Sequence, residues 1–496
     1  MSPSREGPRP AVIRRLGCME LFFSTLQTVD YYFGTAISCR YAVPHWPVES
    51  RLRASVQAAL ARTVLQHAVL RVGIINETSR APSFVRQDSV NLGRHLEWLD
   101  DSTEAGHDAI FNNAFQAQLD SKFSHPESRP PWRVVVLPVQ VSKFLEVIFA
   151  WNHALADGVG GAIFHETLLH HLNATPDGSV LLELENGLLD IRGSRWCFPP
   201  SQNSLRKHPI GLKYAISTLW RLSRPTPHDT FATWAPIRER PCKTQLRSIA
   251  VDDQVLQKVL AACRENMTTL TGLLHGIALV SLAARAPSGK ASGLSGQTAL
   301  NMRRLYSATP CRDYQPVQAK TMANAFSVMS HTFDAATVDE IRSCPTTHKQ
   351  TTQRFVWSAA ASVRDEIRQA LGLGVKNKMV GLMSMVPDWR PFIKYKAKIA
   401  RVDSWLVTNL GVLGDCAEKG SWSISRGFFA VSAEVIGAAL HICPVSIQGQ
   451  ELCVAFTWQD EVVDTRVAEQ LVSDVGEWLM YIGGFAESDS KLQGPE

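Results

Sequence analysis

The sequence predicts a mixed α/β protein of two lobes, and three observations carry that reading. Apolar residues make up 45% and charged residues 20% of the 496, the balance of a folded protein rather than a disordered or fibrous one. At about 100–200 residues per domain, the length allows two to four compact units. Helix-like and strand-like periodicities alternate in both halves, which an irregular stretch rich in proline and basic residues separates. The boundaries are therefore set at 1–195 for the N-terminal lobe, 196–245 for the linker and 246–496 for the C-terminal lobe.

In the N-terminal lobe, 16–28 (LGCMELFFSTLQT) reads as a short helix and 35–42 (TAISCRYA) as a strand. A helix over 49–66 puts Leu52, Val56, Leu60 and Val64 on one face. A strand is expected over 68–75, followed by a polar, histidine-rich stretch to about residue 128. PPWRVVVLPVQ and KFLEVIFAW then pair as two strands around a turn at Gln140–Lys143. The second strand runs into NHALADGVGG and a helix, AIFHETLLHHL. Within the linker, 212–222 (LKYAISTLWRL) has the spacing of a short amphipathic helix. With only two basic residues it is expected to pack against the protein rather than serve as a lid or touch a membrane.

The C-terminal lobe opens with a strand (LRSIAVD), a helix (DDQVLQKVLAACRE) and a longer helix (TTLTGLLHGIALVSLAARA) capped by Thr268 or Thr269. A strand through GQTALNMRRLY follows, and then a mostly helical region over 325–371. Three strands (SISRGFFAVSA, LHICPVSIQ and ELCVAFTWQ) and a helix at about 464–481 complete the lobe. Glu434, His441 and Pro444 interrupt the apolar stretch from Phe428 to Ile447, which suits two core strands and not a membrane span.

Several function classes are set aside. Net charge is only +5, and no basic block interleaves with aromatics, so no nucleic-acid partner is expected. Ten cysteines without a Cys-x-x-Cys pair argue against a zinc ribbon, a redox pair or a disulfide scaffold, and reduced thiols in a cytoplasmic protein are expected. The polar start, MSPSREGPRPAVIRR, does not resemble a secretory signal. There is no phosphate-binding Gly-x-x-x-x-Gly-Lys loop, no Gly-x-Ser-x-Gly elbow and no dinucleotide fingerprint. His165, His170 and His171 lack metal-pair spacing, and no metal site is expected. His275 lies in an apolar helix and reads as a satisfied core histidine. Lys394, Lys396 and Lys398 alternate as on a solvated edge strand, in preference to a coenzyme A phosphate site.

The chemistry concentrates at His153, Asp157 and Gly158. A buried strand delivers His153 to a sharp turn, where a glycine relieves the backbone and a helix begins. Held there with one nitrogen facing a cleft, an imidazole of unperturbed pKa near 6.5 suits a general base at neutral pH. The spacing alone allows a second reading, in which His153 is a loop histidine bonded to backbone and Asp157 caps the next helix.

HALADG together with RRLGCMELFF resembles the fungal alcohol acetyltransferase family, which is similar to BAHD acyltransferases, chloramphenicol acetyltransferase and nonribosomal peptide condensation domains. TTLTGLLHGIALVSLA, NMRR, TNLG at 408–411 and the strand–strand–helix ending extend the resemblance over most of the chain. It implies a chloramphenicol acetyltransferase-like fold with a channel between the lobes. His153 matches the family's base, Gly158 the glycine completing the turn, and Asp157 a structural aspartate paired with an arginine of the second lobe. Arg303 is the best match for that arginine and Arg304 the alternative. Thr408, Asn409 and Gly411 fall in a segment lining the channel, which gives Asn409 a polar role towards substrate or oxyanion. Two departures stand out. Asn152 occupies the place of the condensation domains' second histidine, and the late Asp-Phe-Gly-Trp-Gly segment of BAHD enzymes is absent.

The resemblance implies a monomeric O-acyltransferase of secondary metabolism. Acetyl-CoA or another acyl-CoA would be its co-substrate, a small alcohol its acceptor, and it would need no bound cofactor. The rival readings are N-acetylation of an amine, condensation with a carrier-bound acyl donor, and a non-catalytic binding protein of the same fold.

Overall fold

Two sheets organise the chain, and each takes its central strands from the most continuously apolar runs of its half. The computed structural model describes residues 11–100, 104–174, 184–194, 196–223, 232, 234–285, 293–306, 320–344, 349–414 and 421–484. The five-stranded sheet runs Ser423–Val431, Thr35–Ala42, Phe144–Trp151, Trp132–Val139, Leu96–Trp98, with only the last junction parallel. The larger sheet runs Thr244–Val251, Leu452–Gln459, Leu440–Ile447, Trp405–Val407, Leu294–Asn301, Phe326–Phe333. A short strand, Gly411–Leu413, pairs with Leu440–Ile447 off that path.

Burial on both faces explains the unbroken apolar sequences of the central strands. Phe144–Trp151 is buried at every position after the first, and the helix Gly158–Ala174 covers it. Phe149 stacks on Phe164 of that helix with centroids 3.8 Å apart. A Cβ added at Gly161 would lie 2.2 Å from the Trp151 indole, so only glycine lets the helix sit flush on the strand. The C-terminal lobe is built around the helix Leu270–Arg285, buried along most of its length. Thr269 caps that helix by accepting from the Gly272 N–H at 3.2 Å, while Thr268 donates to the Ala360 carbonyl at 2.6 Å.

One strand crosses the boundary drawn from sequence. Ser423–Val431 lies within the C-terminal half of the chain yet forms the edge of the N-terminal sheet, with Val431 opposite Thr35. The chain then returns to the larger sheet at Leu440. The stretch 246–496 thus lends one strand to the sheet of the N-terminal half.

Several elements differ from expectation. Residues 68–75 divide into a 3-10 turn, Ala68–Arg71, and a strand, Val72–Ile75. The histidine-rich stretch contains a helix, Glu104–Asp120, with His107, Phe111, Phe115 and Leu119 buried. The strand before NMRR stops at Asn301, and Arg303–Tyr306 begins a helical turn. Phe326–Phe333 is a strand inside the region expected to be helical. Lys394 and Lys396 lie on a helix, Trp389–Lys396, not an edge strand, and Lys396 is buried there. The linker contains the expected helix, Leu212–Ser223, but Leu212, Ile216, Leu219 and Trp220 on it are exposed rather than packed.

Among the described residues no single helix is long and apolar enough to cross a membrane. One pair, Asp253–Glu265 with Leu270–Arg285, is apolar enough when joined, but it bends by 88° and its second helix is core.

Candidate active site

The strand Phe144–Trp151 ends at a tightly bonded turn. The Asn152 N–H donates to the Pro131 carbonyl at 2.9 Å, and the Asn152 Oδ1 accepts from the Ala154 N–H at 2.9 Å. The Asn152 amide also donates to Gln27 of the helix Cys18–Thr28. The Trp151 indole N–H donates to the Ala156 carbonyl at 2.8 Å, closing the turn on itself. His153 therefore sits on backbone fixed from several sides.

Its ring is sandwiched more than pocketed. Phe23 stacks on it with centroids 3.9 Å apart and planes 9° from parallel, Phe326 lies at 5.4 Å and Tyr32 at 6.0 Å. Only 8% of the residue is exposed. Nδ1 is closed off from solvent with no hydrogen-bond partner among the described residues, and none of the described residues bonds Nε2. Burial pushes the imidazole's pKa below its ordinary value. Its own carbonyl, Asp157, Asn324 and Glu434 pull the other way without cancelling the effect. That direction favours the neutral, proton-accepting form of the ring.

Asp157 and Gly158 brace the turn. Two Arg303 guanidinium N–H groups donate to the two Asp157 oxygens, each at 2.8 Å. The carboxylate also accepts from the Gly160 and Ala325 N–H groups, both at 2.9 Å. Burial alone would raise the Asp157 pKa, but the Arg303 charge and these four bonds hold it below the usual carboxylate range. The partner is thus Arg303, which also donates to the Ala323 carbonyl at 2.9 Å, and not Arg304. A Cβ at Gly158 would lie 2.7 Å from Leu410 and 3.1 Å from Phe429, so glycine lets the C-terminal lobe and the crossing strand close on the turn.

Sequence reasoning missed Asn324. Its amide donates to the carbonyls of both His153 and Ala154, at 2.8 and 3.0 Å. No motif marks it, and the residues ANAF give no periodic signal. Phe23 was missed too, although the Arg-x-Leu-Gly-x-x-Glu start holds it in place. Arg14 clasps Glu20 through bonds of 2.7 and 2.8 Å, and Glu20 accepts from the Gly17 N–H at 2.5 Å. That clasp fixes the start of the helix bearing Phe23.

The remaining candidates lie elsewhere. The Asn409 amide is already engaged, donating to Thr271 of the helix Leu270–Arg285 at 3.0 Å and accepting from the Gly411 N–H at 2.7 Å. The Thr408 N–H donates to the Ile442 carbonyl. The 408–411 segment meets the motif through Leu410 instead. Both ring nitrogens of His275 are bonded, Nε2 with Thr298 at 2.8 Å and Nδ1 accepting from Trp405 at 2.9 Å. His165 is held between Tyr41 and the Ile37 carbonyl.

An α/β chain of two interlocked lobes, with a braced histidine turn where they meet, has the architecture of the chloramphenicol acetyltransferase-like acyltransferases. Among solved structures it is similar to TRI3 trichothecene 15-O-acetyltransferase from Fusarium sporotrichioides (TM-score 0.67, 13% identity, 95% of each chain). It is also similar to the condensation domain of the Monacolin K polyketide synthase MokA (TM-score 0.56, 10% identity, 96% of this chain and 98% of that one). The family profile described as alcohol acetyltransferase matches residues 97–473. The chain belongs to that family and is an acyltransferase. A curated relative, "Probable alcohol acetyltransferase FCK4" of Fusarium pseudograminearum, is 26% identical over 97% of this chain and 98% of its own length.

Proposed function

We propose that the protein is an acyl-CoA-dependent O-acyltransferase in which His153 is the general base. One observation carries the proposal: a buried imidazole whose pKa burial lowers, with Nδ1 sealed and no described residue bonded to Nε2. In this reading the acceptor hydroxyl gives its proton to Nε2 as its oxygen attacks the thioester carbonyl. The carbon–sulfur bond then breaks, and the proton returns from Nε2 to the departing thiolate, leaving an ester and free coenzyme A. Base assistance of this kind is worth about 10²–10⁴-fold. No acyl-enzyme is formed, because donor and acceptor meet at one histidine between the lobes.

Acetyl is the favoured acyl group and an alcohol the favoured acceptor, in keeping with the family's description and with the relatives' printed names. The test is thiol release from acetyl-CoA across a panel of alcohols and amines. Release with alcohols that is lost in His153→Ala supports the reading. Turnover only with amines would shift it to N-acylation, turnover only with acyl-phosphopantetheinyl protein would shift it to condensation chemistry, and unchanged turnover in His153→Ala would reject the base.

A further inference from the structure

The linker helix Leu212–Ser223 turns its apolar face outward. Leu212, Ile216, Leu219 and Trp220 are 77, 59, 57 and 56% exposed, and their spacing is that of a single helical stripe. Tyr214, Ala215 and Thr218, on the other side, are half-buried. The start of the helix is tied to a second exposed apolar segment. The Gly211 N–H donates to the Asn377 Oδ1 at 2.8 Å, and the Asn377 N–H donates to the Pro209 carbonyl at 3.0 Å. Just before Asn377, Leu371 and Leu373 are 39 and 53% exposed.

Charge selects what covers this surface. From 193 to 227 the sequence contains Arg195, Arg206, Lys207, Lys213, Arg221 and Arg224 and not one Asp or Glu. Arg206, Lys207 and Lys213 are exposed, as is Lys376 beside Asn377. A second copy docked face to face would set these cations against their own counterparts. An anionic bilayer meets them with phosphate and carboxylate headgroups, takes the leucines and isoleucine into its acyl boundary, and suits a tryptophan at the interface. At about 1.5 Å per residue the helix is too short to cross a hydrocarbon core about 30 Å thick. It can only lie on the surface.

We propose that the Leu212–Ser223 helix docks this protein on an anionic phospholipid bilayer. Gln202, shortly before the helix, donates to the Phe326 carbonyl at 2.8 Å, and Phe326 borders His153. That bond links the stretch leading into the helix to one wall of the candidate site, and the docking itself does not depend on the acyltransferase reading.

The full chain is tested by flotation with phosphatidylcholine vesicles, alone or with about 30 mol% phosphatidylserine to supply the negative surface. The protein is expected to float with the anionic vesicles and be released by high salt. Ile216→Ser/Trp220→Ser is expected to bind about tenfold more weakly, with its melting temperature and its turnover of a soluble acceptor unchanged. Leu212→Ser/Leu219→Ser, expected to bind as weakly, stands in if the first variant is unstable. Absence of flotation, equal flotation with neutral and anionic vesicles, or equal binding by a stable variant would overturn the proposal. So would a lipid-free dimer, seen by sedimentation, that the same substitutions dissolve.

Discussion

Arg303→Ala separates a brace from a reacting group. Both side chains of the pair are almost wholly buried, 4% exposed for Arg303 and 6% for Asp157. The substitution leaves the Asp157 carboxylate with two backbone N–H donors and no countercharge, and it strips Arg303's donation from the Ala323 carbonyl. Removing one partner of a buried pair costs about 3–5 kcal/mol. For a cooperative unit of about 150–250 residues, each kcal/mol lowers Tm by about 2–4 °C, so a loss of about 6–20 °C is expected. Differential scanning fluorimetry reads the shift, and thiol release at low temperature reads what activity the folded fraction keeps. Asp157→Asn/Arg303→Met removes the stranded charge and is expected to regain part of the loss. An Arg303→Ala variant that melts like the parent yet is inactive would refute the reasoning, because Arg303 would then be acting at the reacting centre.

His153→Gln is expected to lose about 10²–10⁴-fold in kcat with little change in Tm, checked by single-turnover thiol release and scanning fluorimetry. The acid limb of kcat/KM is expected below pH 6.5, since burial depresses the His153 pKa; an inflection above 7 would contradict it. His67, His95 and His165 are each pushed down by burial to about 4. The unfolded chain protonates them first, so their stabilisation is complete above about pH 6.5 and is lost as pH falls towards 4, which melting curves across that window would show. Gly161→Ala forces a Cβ into the Trp151 indole and is expected to cost at least about 1–3 kcal/mol in denaturant unfolding. Asn324→Ala frees the carbonyls of His153 and Ala154 and is expected to lower kcat more than it raises KM.

The part of the site that lies within one stretch of chain was legible, because strand, turn and helix each announce themselves locally. A continuous apolar run, an abrupt Asn-His, and closely spaced glycines fix where His153 stands. Arg303 was legible only through family resemblance, since a pair 146 positions apart leaves no periodic trace. Asn324 and Phe23 act through the backbone and a ring face, interactions that many residue types could supply. In Glu104–Asp120 the signal existed and went unread: His107, Phe111, Phe115 and Leu119 recur every four residues, but a histidine looks polar until it is seen buried. Phe326–Phe333 owes its strand form to pairing with Leu294–Asn301, a partner no local pattern names. The lysines of FIKYKAKIAR alternate, yet Trp389, Ile393 and Lys396 also share a helical face, and burial of that face decided between two periods.

The histidine is placed by both lobes at once. Phe23 and Gln27 approach from the N-terminal side, while Asn324, the Ala325 N–H and Arg303 approach from the other. A hinge opening between the lobes would break a buried ion pair and two bonds to the turn's own carbonyls. It would also strain a sheet edge, because Ser423–Val431 pairs with Thr35–Ala42 before the chain returns to the larger sheet. Together those costs argue that, in the proposed reaction, acyl donor and acceptor reach His153 between lobes that stay closed. Disulfide cross-links placed across the lobe interface away from the turn should accordingly leave turnover intact, and loss of turnover restored by reduction would show that the lobes must part.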